Sequence, residues 1–322
     1  MQIDMRSGKE DGYDAITVSP HKFTGGPGAP GILLMRKSLY RLGKRPPSTC
    51  GGGTVAYVNG FNEEDTLYHD NIEEREQGGT PPILGNIRCA LAFWVKESMG
   101  TTFIKQREDM YMKQAIRNLS SHTNVKILGD NKHDKGATLL GKPLDGSFVV
   151  KLLNDLFGIQ ARGGCACAGP YGHLLLDVNA ELSLEIRDAI LKGYNGLKPG
   201  WTRLSLCYTM SDEEVEYILS AIGFLARFGH RFLSLYDFDW HTGNWKFSHE
   251  RFTCVVSCKK TNNQCNKLMQ VTIPVSKEKY SERERFRHYL DAAKALCYFL
   301  PSSPLPRRPP ADIDSSLVFF RV

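Results

Sequence analysis

The stretch Asp14-Ala15-Ile16-Thr17-Val18-Ser19-Pro20-His21-Lys22-Phe23 is followed closely by Gly25-Gly26-Pro27-Gly28-Ala29-Pro30-Gly31 and then by Ile32-Leu33-Leu34-Met35. The apolar residues on either side of the glycines predict two short buried strands. A lysine after a strand, in a loop of small residues, is where an α/β fold can hold a reactive amine. A desolvated amine loses its proton more readily and can form a Schiff base. On spacing alone, an ordinary lysine in a glycine-rich turn explains Lys22 at least as well.

Length and composition place limits on the class of protein. A chain of 322 residues with 41% hydrophobic and 24% charged residues is long enough for one large domain or two modest ones. The net charge of +6 is mild, and basic residues alternate with acidic ones, as in Glu282-Arg283-Glu284-Arg285, so nucleic-acid binding is not expected. No apolar run reaches the roughly 20 residues of a membrane span. Nine cysteines and an N-terminus without a signal-peptide pattern favour reduced thiols and a cytoplasmic location.

A second glycine-rich motif, Cys50-Gly51-Gly52-Gly53-Thr54, precedes the segment Arg75-Glu76-Gln77-Gly78-Gly79-Thr80-Pro81. Glycines let the backbone approach a ligand, and Thr80 lies just before a proline-started helix, where amides and the helix dipole favour an anion. A nucleotide-binding loop does not fit, because no Gly-Lys-Ser/Thr follows the glycines. On its residues alone, the segment is explained more simply as a flexible surface loop.

The third motif is Arg162-Gly163-Gly164-Cys165-Ala166-Cys167-Ala168-Gly169. An arginine fork can bind a substrate carboxylate through two hydrogen bonds, and a cysteine on a nearby glycine-flanked loop can be an exposed thiolate. The alternative is that both cysteines are buried as small hydrophobic residues. Arg203, on the polar face of a predicted strand, is a further candidate for binding an anionic group, although a solvated arginine explains it equally well.

Three cysteines near two histidines form the fourth candidate constellation: Cys254, Cys258 and Cys265 beside His241 and His249. The spacing lacks the close cysteine pairs that are typical of zinc sites. We therefore expect no metal at this place.

The lysine, glycine and arginine–cysteine motifs resemble those of the class V aminotransferase family, which includes cysteine desulfurases. The resemblance implies an α/β fold, namely the C-terminal part of a fold-type-I transferase that depends on pyridoxal 5'-phosphate (PLP), with an incomplete large-domain sheet and an α+β small domain. It implies that Lys22 forms the Schiff base (internal aldimine) with PLP. It also implies that Ser19 and His21 contact the cofactor phosphate and that Thr80 reaches the phosphate of a partner's cofactor in a homodimer.

The same resemblance assigns roles to the third motif. Arg162 corresponds to the arginine that binds the substrate carboxylate, and Cys167 to the cysteine that accepts sulfur to form a persulfide. The Arg162–Cys167 pattern is also similar to that of molybdenum cofactor sulfurases. The implied substrate is an amino acid, and cysteine is the candidate.

The chain departs from the family pattern in one important respect. In the family the cofactor lysine comes late, after residues that stack on the cofactor ring and pair with its pyridine nitrogen. We therefore expect a truncated chain that lacks this half of the site, and whether it is an enzyme stays open. The alternatives are a catalytically inactive remnant that acts as an interaction partner, or a different PLP-dependent reaction.

Hydrophobic periodicity and capping residues predict the remaining organisation. Helices are expected at 81–100, 104–119, 148–157, 182–191, 211–229 and 281–290, strands at 125–128, 159–161 and 202–208, and a hairpin at 238–247. The predicted domains are a PLP-binding large-domain remnant (1–100), a small domain (101–250), a C-terminal extension (251–300) and a disordered Pro-rich tail (301–322).

Overall fold

The computed structural model describes residues 12–41, 45–49, 51–129, 142–165, 167–260 and 280–322, with side chains up to residue 255 in the fifth range. The chain divides into two compact units, Met1–Arg107 and Glu108–Val322.

The first unit contains two small antiparallel sheets and the helices that follow them. Its elements are β1 (Ala15–Val18), β2 (Ile32–Met35), β3 (Val55–Tyr57), β4 (Leu67–Tyr68), α1 (Ile72–Glu76) and α2 (Ile83–Met99). Strand β1 pairs with β2 in a regular register from Ala15 opposite Met35 to Val18 opposite Ile32. The two strands predicted around the glycine-rich loop are therefore confirmed. The prediction that they are buried is wrong, because Leu33 and Leu34 are exposed.

Helix α2 buries its small residues and exposes its large ones. Gly85, Cys89 and Ala92 form the buried face. The opposite face carries a stripe of exposed apolar side chains at helical spacing: Leu84, Ile87, Leu91 and Trp94. Of the 28 large hydrophobic residues that are exposed in the described part of the chain, 18 lie in the first unit, so this unit presents far more apolar surface than the second.

Helix α3 (Thr101–Ser120) passes from the first unit into the second. The second unit then contains α4 (Gly146–Phe157), α5 (Gly169–Leu175), α6 (Ala180–Leu191), α7 (Asp212–Phe228), β5 (Tyr236–Phe238), β6 (Trp245–Phe247), α8 (His249–Lys260) and α9 (Glu282–Phe299). The core lies between α4, α7 and α9, where Phe148, Leu152 and Leu153 are fully buried together with Ala221. Strands β5 and β6 form the predicted hairpin.

Capping residues begin and end these helices as the sequence predicts. Ser211 and Glu214 form a complete capping box at the start of α7, and Ser281 and Glu284 do the same for α9. Gly158 ends α4 in the left-handed conformation, with φ of 67°. The predictions of these three helices are confirmed.

The predicted small-domain strands are not formed. Residues 125–128 and 159–161 contain no strand, and the only pairing of 202–208 within the described residues is an isolated antiparallel bridge between Arg162 and Arg203. Leu204 and Leu206 nevertheless pack against the core, whereas Arg203 is exposed. The alternation of apolar and polar residues at 202–208 therefore reflects a segment whose side chains are alternately buried and exposed, but which is not a strand of a sheet.

The C-terminal segment 301–322 is folded onto the second unit. Ile313, Leu317 and Phe320 are buried in its core, and the backbone N–H of Arg321 donates to the carbonyl of Pro143. The prediction of a disordered tail is wrong, because the apolar residues after the proline-rich stretch bury enough surface to hold it in place.

By length and composition, the segment Asp212–Leu235, which contains α7, could cross a membrane. Because 56% of the most apolar window is buried within the protein, the observation fits a core helix equally well.

Candidate functional site

Lys22 lies directly after strand β1, as the sequence predicts. Pro20–Lys22 forms one turn of 3-10 helix, in which Pro20 is buried and His21 and Lys22 are exposed. In the described part of the chain, the side chains of Ser19, His21 and Lys22 make no hydrogen bond or ion pair with another residue. The turn therefore presents a hydroxyl, an imidazole and an amine side by side, all available to a ligand.

The glycine-rich loop holds this turn in place by close backbone packing. A Cβ atom at Gly26 would lie within 1.9 Å of the Pro20 carbonyl oxygen, so only glycine fits there. Phe23 packs edge-on against Phe93 of α2 with ring centroids 5.3 Å apart, and the Lys96 amine lies over the Phe23 ring. The sequence therefore fixes the position of Lys22 through the residues on both sides of it.

The second predicted motif also forms a compact substructure in the first unit. The backbone N–H of Gly79 donates to the carbonyl of Gly52 at 2.8 Å, and a Cβ atom at Gly51 would collide with the 78–79 backbone. Thr54 is buried and donates to the carbonyl of Gly51. Thr80 is exposed two residues before Pro82, the cap of α2. The structure thus brings together the two glycine segments and leaves the hydroxyl-bearing Thr80 accessible, whereas Cys50 lies outside the described residues.

Arg75, from the same motif, is buried under two aromatic rings. Its guanidinium lies 6.0 Å from the Tyr40 ring centroid and 5.2 Å from that of Tyr68, and it donates to the carbonyl of Arg45. The neighbouring Glu76 accepts hydrogen bonds from Tyr40 and Ser48, which hold the pKa of its carboxyl below its usual value. Arg75 therefore stabilises the scaffold and is not exposed to a ligand.

In the second unit, Arg162, Arg203 and Cys167 form one cluster. The backbones of Arg162 and Arg203 exchange two hydrogen bonds, of 3.2 and 2.8 Å. The Nη2 atom of Arg162 donates to the Sγ atom of Cys167 at 3.1 Å. All three side chains are exposed, and so is Cys165. The alternative in which both cysteines are buried is therefore wrong.

Cys167 has an unusual backbone conformation. Its φ is +62°, one of two positive values among the described non-glycine residues. A hydrogen bond from the Ala168 N–H to the Cys165 carbonyl closes the turn around it. A residue with a Cβ atom costs on the order of 1 kcal/mol in this conformation, and such strain is concentrated at functional sites. The turn presents the Cys167 thiol to Arg162 at this cost.

Two members of this cluster, Arg162 and Cys167, line an open cleft of about 760 Å³ that lies wholly within the second unit, whereas Arg203 is not among the lining residues. Its wall contains an unusual number of glycines and several polar side chains, among them Asp145, Arg162, Cys165, Cys167, Asn195, Lys198, Thr242, Asn244 and Trp245. Glycines allow close packing of the backbones that form the wall: a Cβ atom at Gly200 would lie 2.5 Å from the Cα atom of Gly164. The volume of the cleft lies within the range of small-molecule sites, but its lining is more polar and richer in glycine than is usual for them.

Asp145 is the least exposed acid of the cleft. Its Oδ2 atom accepts a hydrogen bond from Trp245 Nε1 at 2.7 Å and from the Phe148 N–H at 3.1 Å, so it caps α4. Burial raises the pKa of the Asp145 carboxyl, and these hydrogen bonds offset part of the increase. Both acceptor interactions engage the carboxylate from the protein side, so its role is to support the wall.

The residues considered for a metal site do not form one among the described side chains, which include no cluster of three metal-ligating groups. His241 stacks on Tyr194 with ring centroids 4.9 Å apart, and His249 packs edge-on against Phe247. Cys254 is exposed, and the side chains of Cys258 and Cys265 lie outside the described part.

Two residues of the cleft wall, Lys198 and Asp145, are not recognisable as site residues from the sequence alone. Lys198 stands in Lys198-Pro199-Gly200-Trp201, and the proline and glycine there indicate a loop of defined geometry. Asp145 precedes the helical pattern of α4 as an acidic cap, which is a recognisable signal. Neither sequence pattern by itself indicates a ligand-binding residue. The structure shows that both residues line the same cleft.

Comparison with known proteins agrees with these motifs. The family model described as "Aminotransferase class-V" matches residues 1–218, which is more than half of the chain. The chain belongs to the class V aminotransferase family. This confirms the predicted fold class, an α/β fold-type-I PLP-dependent transferase, and the mixture of helices and strands is consistent with it.

Individual relatives are similar over a smaller region. A probable cysteine desulfurase of Halalkalibacterium halodurans is 30% identical over 173 residues, which are 53% of this chain and 39% of the relative. The cysteine desulfurase of Dickeya dadantii is 27% identical over 157 residues, 49% of this chain and 36% of the relative. The apo structure of cysteine desulfurase from Thermococcus onnurineus NA1 matches with 26% identity and a TM-score of 0.48, covering 66% of this chain and 47% of that one. The chain spans about two fifths of the length of the curated relatives it matches.

Members of this family depend on PLP, and the described residues fit part of that cofactor's chemistry. An aldehyde requires an accessible amine, which Lys22 supplies, and a phosphate requires hydrogen-bond donors, which Ser19 and His21 supply. The donor set at the end of β1 is therefore suited to PLP.

Proposed function

We propose that this protein is a PLP-dependent transferase of the cysteine desulfurase type. The observation that carries the proposal is the contact between the Arg162 guanidinium and the exposed Cys167 thiol, 3.1 Å apart, at the edge of a cleft. The names of the relatives support cysteine as the substrate. Since the chain spans only part of these relatives, the activity, the substrate and the partners are all proposals.

In the proposed reaction, residues of the first unit bind the cofactor. Lys22 would hold the aldehyde group of PLP through its Nζ atom, Ser19 and His21 would hold the phosphate, and Lys22 would move the proton of the substrate Cα atom. When bound, PLP supplies the electron sink that such reactions require. Thr80, exposed before α2, donates to the phosphate held by a second copy of the chain.

Residues of the second unit act on the substrate. Arg162 and Arg203 bind its carboxylate, since each guanidinium is exposed and their backbones are paired. Cys167 accepts the sulfur atom. Arg162 has five N–H donors, so the contact of its Nη2 atom with the Cys167 thiol leaves other donors for the substrate carboxylate. The guanidinium therefore keeps the thiol and the substrate close to each other.

Two further statements belong to this proposal. We place the protein in the cytoplasm as a homodimer. None of the described cysteines forms a disulfide, which fits a reducing compartment, and the exposed apolar stripe of α2 suits an interface.

The test uses purified protein, PLP and cysteine. Borohydride reduction followed by peptide mass spectrometry is expected to find a pyridoxyl group on Lys22, and sulfide release is expected to require Lys22 and Cys167. Lys37→Ala is the matched control, because Lys37 is another exposed lysine of the first unit, and Glu73 is its ion-pair partner among the residues that the structure describes. A pyridoxyl group distributed equally over Lys22 and Lys37 would contradict the cofactor role.

The second candidate is an interaction protein without catalytic activity, which the exposed apolar surface of the first unit favours. A folded protein that takes up no PLP at Lys22 would support this candidate. Uptake of PLP at Lys22 without release of sulfide from cysteine would instead indicate a different PLP-dependent reaction.

A further inference from the structure

We propose that the cleft contains a second anion-binding subsite at Lys198, and that it binds a small thiol with an anionic group. This thiol is the acceptor to which Cys167 passes sulfur. The sulfur step rests on the proposed function, whereas the subsite itself does not.

Lys198 and Cys167 belong to two neighbouring segments of the cleft wall. Two segments run antiparallel: Arg162 pairs with Arg203, and the Trp201 N–H donates to the carbonyl of Gly164 at 3.3 Å. Along the sequence, Cys167 follows Gly164 by three residues and Lys198 precedes Trp201 by three. Both residues line the cleft.

The cleft is larger than the substrate of the proposed reaction requires. Its volume of about 760 Å³ lies within the range of roughly 300–1,000 Å³ that holds drug-sized ligands. Cysteine is much smaller than such ligands. Arg162 is the cleft arginine that provides for its carboxylate, so the space beside Lys198 is available to a second molecule.

The charged side chains of the cleft favour an anion in the space beside Lys198. Lys151 is paired with Asp155 at 3.1 Å, whereas Lys198 makes no ion pair with any described residue. The carboxylate of Asp145 is occupied by Trp245 and by the cap of α4. Lys198 is thus the cleft lysine whose charge is free to bind a ligand.

The transfer step balances without a further reactant. The thiolate of the acceptor attacks the outer sulfur of the Cys167 persulfide and forms a new S–S bond. The bond between that sulfur and the Cys167 Sγ atom breaks, and Cys167 leaves as a thiolate. One persulfide is exchanged for another, so no electrons are gained or lost overall.

The subsite is tested by thiol–disulfide exchange at Cys167, which needs neither PLP nor cysteine. The probes are 5,5'-dithiobis(2-nitrobenzoate), an anionic disulfide, and 2,2'-dithiodipyridine, a neutral one. Peptide mass spectrometry gives the rate at Cys167 for each probe, and the ratio of the anionic to the neutral rate measures the attraction for an anion. Lys246→Gln is the matched control, because Lys246 is exposed in the same hairpin as Trp245 but does not line the cleft.

We expect Lys198→Gln to lower this ratio about fivefold, the effect of one nearby charge in a partly solvated site. Lys246→Gln is expected to leave it unchanged. The difference is expected to shrink in 1 M salt, where the screening length is about 3 Å. Three results would overturn the subsite. They are an unchanged ratio in Lys198→Gln, an equal decrease of the ratio in Lys246→Gln, and an equal slowing of both probes in Lys198→Gln. Failure of the PLP test with a lowered ratio in Lys198→Gln would overturn only the proposed function.

Discussion

Asp145 joins the start of α4 to the β5–β6 hairpin, and its replacement by alanine should destabilise the second unit strongly. Loss of the cap removes about 1 kcal/mol of unfolding free energy. The indole N–H of Trp245 also loses the acceptor that now lies 2.7 Å away, and because Trp245 is only 6% exposed, the N–H stays buried without a partner. That penalty is about 1–3 kcal/mol, so the total loss should be about 2–4 kcal/mol.

Urea unfolding followed by circular dichroism measures this loss, and a double-mutant cycle assigns it. In Trp245→Phe there is no indole N–H to satisfy, so adding Asp145→Ala should cost only the cap. Asp188→Ala is the control, since the only described side-chain contact of Asp188 is a surface pair with Arg187, and it should change stability by less than about 0.5 kcal/mol. Additive losses in the cycle would refute the assignment, because they would show that the Asp145–Trp245 bond contributes nothing.

Three further outcomes are expected. Burial raises the pKa of Asp145 above its ordinary value of 3.8. The free energy of unfolding, compared with that of Asp145→Asn, should therefore be greatest below pH 3.8 and should decrease as the pH rises through the folded-state pKa. Urea titrations in which this difference increases over the same range would contradict the prediction. Gly26→Ala should displace the turn before Lys22 and reduce its labelling by PLP and borohydride, while Gly52→Ala, where a Cβ atom meets nothing within 4 Å, should label normally. Phe320→Ala should cost about 3 kcal/mol and expose segment 301–322 to proteolysis, because Phe320 is 4% exposed; resistance equal to that of the unaltered protein contradicts this.

The sequence predicts local features well where one or two residues determine the geometry. The capping boxes at Ser211 and Ser281 place two helices, and Gly158 ends a third. The strand–turn–strand around Lys22 follows from the same logic, because proline restricts φ and glycine readily adopts the positive φ found at Gly25 and Gly28.

Features that depend on distant contacts are not predictable in this way. The alternation at 202–208 is real, but whether it forms a strand depends on a partner, and in the described residues the pairing stops at Arg203. The segment after Leu300 has a composition typical of disorder, yet Arg231 donates to the carbonyls of Leu300 and Pro301 and anchors it. Lys198 joins the candidate site only through the pairing of Trp201 with Gly164, which no sequence pattern reveals.

The apolar stripe of α2 also bears on the solubility of the protein in the cell. Leu84, Ile87, Leu91 and Trp94 present to water the kind of surface that newly made polypeptides normally hide on folding. Holdase chaperones bind such surfaces, and uncovered copies associate with one another as their concentration rises. We therefore expect the soluble yield of the protein to rise when a partner or chaperone that covers this helix is supplied, and to fall by aggregation when synthesis exceeds that supply.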